Sequence, residues 1–156
     1  MRKLWRSCKG GGYRWCRRSK GECVGGVECI HRGEEGRVLV VDVVCDGQRI
    51  RLISIHAPND VSARRDFFMS LEKWCTQATI IMGDWNVVMD RRDAGVNNKY
   101  GNDVSRKAVW NLMSVGKLVD VWRTLHPNMT AFSRTQVILG KMKLEKILSI
   151  IGPSVC

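Results

Sequence analysis

Ile53-Ser54-Ile55-His56-Ala57-Pro58-Asn59-Asp60 and, further along, Ile80-Ile81-Met82-Gly83-Asp84-Trp85-Asn86 are the stretches that decide the fold. Each is an apolar run that stops at a polar turn. Proline lacks a donor and restricts the residue before it, so the first run ends at Ala57. The second ends in Gly-Asp-Trp-Asn, where Asp and Asn can hydrogen-bond their own backbone and favour a turn. Between the two, Phe67, Phe68, Leu71 and Trp74 share one helical face, with Ser62 expected to cap the helix and the aromatics expected in the core. A strand, a helix and a second strand bring two strand ends together, each delivering a carboxylate or carboxamide into a loop.

Working outward, residues 37–45 are rich in valine and read as a buried strand. Asp46-Gly47 follows, a strong hairpin signal because a type I′ turn needs positive φ at both central residues. Residues 49–56 are the returning strand. Residues 90–103 read as a polar loop. Ser105 is expected to cap a second helix carrying Val109, Leu112 and Met113. The segment 118–122 leads to Leu125-His126-Pro127, where a helical turn stops. Residues 131–134 and 141–150 are the last expected strands. The order strand, strand, helix, strand, helix, strand, strand suits an α/β layered fold with a sheet core and outer helices.

The chain has 156 residues and 44% hydrophobic residues, consistent with one domain able to bury a core. No apolar run approaches the length that crosses a bilayer, so no membrane partner is expected. A basic start without an apolar segment behind it argues against secretion and for an intracellular protein, with the nucleus a compatible location. Seven scattered cysteines then read as free thiols. Cys8, Cys16, Cys23 and Cys29 offer a zinc-module alternative, but with wide gaps and no Cys-x-x-Cys pair.

The net charge of +11 points to an anionic partner, DNA first. Its distribution matters more than its size. Residues 1–20 hold eight basic side chains and no acid, leaving 18 basic and 15 acidic side chains in the rest. Residues 1–24 therefore read as a basic, disordered arm in which Trp5, Tyr13 and Trp15 could stack on nucleic acid. Residues 25–150 are the folded body and 151–156 a tail.

Cleaving a phosphodiester requires an activated water, a cation to offset charge on the phosphoryl oxygens, and fixed donors toward them. Asp84 and Asn86, two apart after a strand, would face one side if the segment stays extended. Asp84 then orients or deprotonates water and Asn86 holds it. Asn59 can donate to a phosphate oxygen. Mg²⁺ takes oxygen ligands and needs only one or two protein carboxylates.

The two motifs, in this order and joined by one amphipathic helix, resemble the endonuclease/exonuclease/phosphatase superfamily. Within it the resemblance is to LINE-type retrotransposon endonucleases and the exonuclease III and abasic-site endonuclease group. Leu118-Val119-Asp120-Val121-Trp122-Arg123, His126-Pro127 and Ala131-Phe132-Ser133 extend the likeness, which runs from about Gly25 to about Leu148. It implies a two-sheet β-sandwich flanked by helices, present here in incomplete form. It also implies metal-dependent phosphodiester hydrolysis on DNA with Mg²⁺ or Mn²⁺. Asp84 resembles the aspartate that activates the attacking water, and it is the candidate metal contact among the matched residues. Asn86 resembles the amide that orients water and transition state, and Asn59 the phosphate-contacting asparagine. His56 stands where relatives often carry tyrosine beside the phosphate; a phosphate donor and a solvent-facing strand-end histidine are both open readings. Lys143-Leu144-Glu145-Lys146-Ile147-Leu148 resembles a strand near the family's C-terminus, with Glu145 in place of an aspartate that orients the catalytic histidine. A surface ion pair is the other reading of Glu145.

Against that pattern, the family's opening strand, its metal-binding glutamate and its closing Ser-Asp-His motif have no counterpart, so a chain truncated at both ends and of weak or lost activity is expected. The alternative is a non-catalytic retroelement remnant that at most binds nucleic acid through its basic arm.

Overall fold

A two-residue hairpin sets the register of the sheet. Asp46 and Gly47 take φ of 50° and 79°, and Cys45 faces Gln48 across the turn, as a type I′ turn requires. The computed structural model describes residues 6–7, 13–14, 25–76, 78–94, 100–130, 134–138, 141–145 and 148–151, with side chains over 26–76, 78–94 and 100–130. The elements are β1 (Arg6–Ser7), β2 (Tyr13–Arg14), β3 (Gly25–Arg32), β4 (Val38–Cys45), β5 (Gln48–His56), α1 (Val61–Leu71) and β6 (Thr79–Asp84). They continue with α2 (Ser105–Gly116), β7 (Val119–Asp120), α3 (Val121–Leu125), β8 (Arg134–Ile138), β9 (Lys141–Glu145) and β10 (Leu148–Ile151).

Among the described residues the main sheet runs in the order β1-β2-β3-β4-β5-β6-β10-β7, and β8 and β9 form a separate antiparallel pair. β4 and β5 are antiparallel, while β5 and β6 are parallel. A parallel pair needs a crossover, which α1 supplies. The consequence is that β5 and β6 end at the same level, with His56 opposite Asp84.

The core lies between this sheet and the helices. Val40, Ile53, Ile55 and Ile81 from the strands cluster with Phe68 and Leu71 of α1 and Val109 and Leu112 of α2. Burying one such side chain contributes about 2 kcal/mol. Phe67 is partly buried against the cluster, as is Trp74 in the short 3-10 turn that follows α1, so the aromatics pack on the core as expected.

Several expectations need correction. Asp60, not Ser62, caps α1: its Oδ1 accepts from Ala63 N at 2.8 Å. The helix starts two residues earlier than a Ser62 cap would set, because aspartate at the loop end already satisfies a free N–H. At α2, Asp103 Oδ1 accepts from Ser105 N at 2.9 Å, so Asp103 rather than Ser105 satisfies that end. An unforeseen strand, β3, precedes β4. Its Gly-Gly start and polar residues hide the strand pattern, and it pairs with register shifts between Gly25 and Val27 and between Cys29 and His31. The stretch 141–150 is two strands: β9 pairs with β8, while β10 enters the main sheet between β6 and β7. Four residues of the expected arm, Arg6, Ser7, Tyr13 and Arg14, form short strands at the sheet's edge. Cys8, Trp5, Trp15, Cys16, Cys23 and 131–133 lie outside the described residues, as does the tail beyond Ile151. No helix among the described residues is long and apolar enough to cross a membrane.

Candidate active site

The site is built where β5 and β6 end together. Ala57 N donates to the Asp84 carbonyl at 2.8 Å, and the Ala57 carbonyl accepts from Asn86 Nδ2 at 2.6 Å. Both backbone groups of Ala57 are therefore used to tie the first motif to the second. One residue earlier, His56 N donates to the Arg37 carbonyl at 2.8 Å, and the imidazole is exposed.

The second motif is a turn rather than an extended run. Gly83 has φ of 135°, and a Cβ there would lie 2.0 Å from the Ile55 carbonyl oxygen. Only glycine fits that approach. Asp84 closes β6 and its Oδ1 accepts from Asn86 N at 3.0 Å. Asn86 is left-handed, φ 49°, a conformation that asparagine tolerates better than most residues. The alternation rule invoked for Asp84 and Asn86 does not apply: the turn, not a strand pleat, sets their directions. Between them Trp85 is buried, 1% exposed, with its ring 5.5 Å from that of Phe68. The residue between the two polar candidates is thus the anchor that seats the turn in the core.

Asn59 is exposed, and its backbone carbonyl accepts from Arg64 Nη1 at 2.7 Å. The structure therefore brings His56, Asn59, Asp84 and Asn86 to the ends of two hydrogen-bonded strands. Glu145 closes β9, opposite Arg134 of β8, in the separate two-stranded sheet; its side chain lies outside the described residues.

The donor chemistry suits a hard cation that keeps most of its waters. Asp84 Oδ2 and Asn86 Oδ1 receive no hydrogen bond from the described residues, leaving two oxygen donors on one turn. They are a minimal set: no group of three or more His, Cys, Asp or Glu suited to a metal occurs among the described residues. Mg²⁺ sites of this kind rely on one or two carboxylates together with substrate phosphates.

The loop after Asn86 is held by ion pairs. Asp90 Oδ1 accepts from Arg92 Nε at 2.8 Å, and hydrogen bonds from the Arg92 side chain and backbone hold the Asp90 carboxyl well below the usual carboxylate range. Arg123 pairs with the buried Asp93 and donates to the carbonyls of His126, Pro127 and Met129. His126 packs against Trp122, ring centroids 4.3 Å apart and planes tilted by 45°. The Asp120–Arg123 and His126-Pro127 motifs are accordingly a scaffold that closes this loop.

Two buried arginines went unread in the sequence. Arg64 and Arg106, on α1 and α2, are 4% and 8% exposed. In a chain with 26 basic residues they carry no distinguishing mark. Each lies on the core side of its helix, Arg64 four residues before Phe68 and Arg106 three before Val109, a spacing that does not by itself reveal a buried guanidinium.

No family model matches the sequence. The chain is 33% identical over 117 residues to the uncharacterized 149 kDa protein of transposon TX1 from Xenopus laevis; the match covers 72% of this chain and 9% of that protein. Among solved structures it is similar to the endonuclease domain of TRAS1, a telomere-specific non-LTR retrotransposon. The TM-score is 0.58 at 12% identity, covering 82% of this chain and 57% of that one. It is also similar to D. rerio TDP2 complexed with a single-strand DNA product, with a TM-score of 0.50 at 14% identity, covering 83% of this chain and 55% of that one. The fold is that of the endonuclease/exonuclease/phosphatase superfamily. In sequence the chain is similar to a transposon protein, of which it spans a small part.

Proposed function

We propose that this chain carries the phosphodiester-cleaving site of a retrotransposon-type endonuclease and acts on DNA with Mg²⁺ or Mn²⁺. One observation carries the reading: the hydrogen bonds among Ala57, Asp84 and Asn86 that place both motifs at one pair of strand ends. Asp84 is the base that takes a proton from the attacking water. Asn86 fixes the turn through Nδ2 and presents Oδ1 to that water. Asn59 and His56, both exposed at the end of β5, contact the phosphate. Glu145 is the weakest member of the set, since its strand pairs outside the main sheet. A divalent cation, when bound, would offset charge on the phosphoryl oxygens.

The chain spans about half the length of the solved domains it resembles and a small part of the transposon protein, so activity and substrate belong to the proposal. The minimal donor set predicts weak metal affinity and slow cleavage. The test is nicking of supercoiled and abasic-site DNA by the purified chain with Mg²⁺ and with EDTA. Metal-dependent nicking of either substrate supports an endonuclease. Metal-independent retention of DNA without nicking favours the non-catalytic reading, which rests on the charge concentrated in residues 1–20.

A further inference from the structure

We infer that Arg64 and Arg106 are positioning residues that brace the two motif loops from behind. The inference rests on the endonuclease reading for the meaning of those loops, while its structural half can be tested without activity.

Arg64 spends its guanidinium on two separate pieces of chain. Nη1 donates to the carbonyls of Pro58 at 3.2 Å and Asn59 at 2.7 Å. Nε donates to Ser105 Oγ at 2.9 Å, and Nη2 to Asp103 Oδ2 at 2.6 Å. Asp103 is also the residue that satisfies the start of α2. The Asn59 loop, the body of α1 and the first turn of α2 are therefore one hydrogen-bonded unit. A planar, always-charged fork with five donors can span them; a lysine ammonium cannot.

Arg106 performs the corresponding task for the second motif. From the first turn of α2, Nε donates to the Val88 carbonyl at 2.9 Å, two residues past Asn86, and Nη2 to the Gly101 carbonyl at 3.2 Å. Its guanidinium lies 4.1 Å from the Tyr100 ring centroid. Among the described residues no carboxylate pairs with it. A buried cation satisfied by carbonyls and one aromatic face is a costly way to gain stability, because an apolar side chain of similar volume would fill the space at lower cost. What an apolar side chain cannot do is fix two carbonyls in direction. Both arginines thus point the same way: each spends donors on backbone carbonyls of a loop carrying polar candidates, and both come from the paired helices behind the strand ends.

The two are coupled through the start of α2. Arg64 holds Asp103 and Ser105, and Arg106 follows directly in the chain. A shift of the first turn of α2 would move both loops together.

The experiment is site-resolved amide exchange on the full chain, comparing wild type with Arg64→Lys and Arg106→Lys. Milder variants that leave both guanidinium groups in place, Ser105→Ala and Tyr100→Leu, guard against loss of folding. The reporters are the amides of Ala57 and Asn86, which bond within the site, against Ile53 and Ile81 in the strands. The brace predicts exchange at the reporters faster by about tenfold or more while the strand amides keep their protection. In a nicking-competent chain it also predicts a fall in maximal rate per folded molecule, the folded fraction being read from the strand amides, with little change in the DNA concentration giving half-maximal rate; general destabilisation leaves the rate per folded molecule unchanged. Exchange that rises equally at reporters and strands, or stays unchanged at the reporters in every variant, overturns the inference. A wild-type chain that never nicks sinks the endonuclease reading alone, and the exchange comparison still decides the brace.

Discussion

Asn86 reaches back across the ends of two parallel strands and donates its side-chain amide to the carbonyl of Ala57 at 2.6 Å. The backbone bond from Ala57 N to the Asp84 carbonyl, 2.8 Å, runs the other way between the same segments. A residue singled out for chemistry is therefore also a structural clasp. Replacing it changes both functions, and variants must be chosen to separate them.

Asn86→Ala removes the clasp and puts alanine at a left-handed φ. The expected loss of stability is about 1–2 kcal/mol, from one hydrogen bond and the backbone preference together. Asn86→Gly keeps the backbone comfortable and removes only the amide, so it should recover part of that loss. Urea midpoints of the two variants measure the split. If alanine and glycine are equally harmful, the backbone has no part in the effect.

Gly83→Ala is expected to be far worse than an ordinary glycine substitution. The added Cβ would sit 2.0 Å from the Ile55 carbonyl oxygen, between strands that are hydrogen-bonded to each other. The strands must separate or the turn must reform, at a cost of roughly 3 kcal/mol or more. Gly36→Ala is the control, because positive φ is its only strain and no atom lies within 4 Å of the added carbon. Thermal melts of the two variants should differ widely.

Trp85→Ala should destabilise by about 3–5 kcal/mol, the range for deleting a buried aromatic. The ring is 1% exposed and packs on Phe68. Trp85→Phe keeps most of the contact and should cost much less. Since Trp85 seats the turn that carries Asp84, the alanine variant should also lose protection of the Asn86 amide.

Acid should weaken the fold through two carboxylates, the buried Asp42 and the half-buried Asp103. Hydrogen bonds from Arg51 hold the Asp42 carboxyl below its ordinary range. Burial raises the Asp103 value, but hydrogen bonds from Ser105 and the charge of Arg64 outweigh it, and the net shift is downward. Each native pKa lies below the unfolded one, so both states are ionised above about pH 5 and the full contribution is present there. Below about pH 4 the unfolded chain takes up the proton first, and stability falls until the native carboxylate is protonated too. Denaturant midpoints measured from neutral pH to about pH 3 should fall. Asp42→Asn should lower the neutral-pH value and flatten the acid slope; an unchanged slope would remove Asp42 from this account.

Much of this was legible in the residues. The Asp46-Gly47 hairpin follows from turn chemistry, and the end of β5 from Pro58. The aromatic face of α1 follows from its spacing, and the meeting of the motifs from strand-helix-strand order. What was hidden has physical causes. β3 opens with two glycines and pairs irregularly, so its alternation is broken. The last strands divide between two sheets because β10 pairs with β6 at long sequence separation, which local pattern does not encode. At the site, the positive φ of Asn86 replaced the expected extended geometry. Arg64 and Arg106 were invisible because burial of a cation depends on acceptors supplied by other parts of the chain.

The central claim is that Asp84 activates water at the joined strand ends. The most direct measurement is nicking of supercoiled DNA by the purified chain in Mg²⁺, beside Asp84→Asn, with folding of both checked by amide exchange at Ala57 and Asn86. Asparagine retains an acceptor for the Asn86 amide but cannot take a proton. The account predicts a slow, EDTA-sensitive rate for the parent chain and a loss of about 10²-fold or more in the folded variant, in line with removal of a general base. Equal nicking by parent and variant, or none by the folded parent in metal, would contradict it.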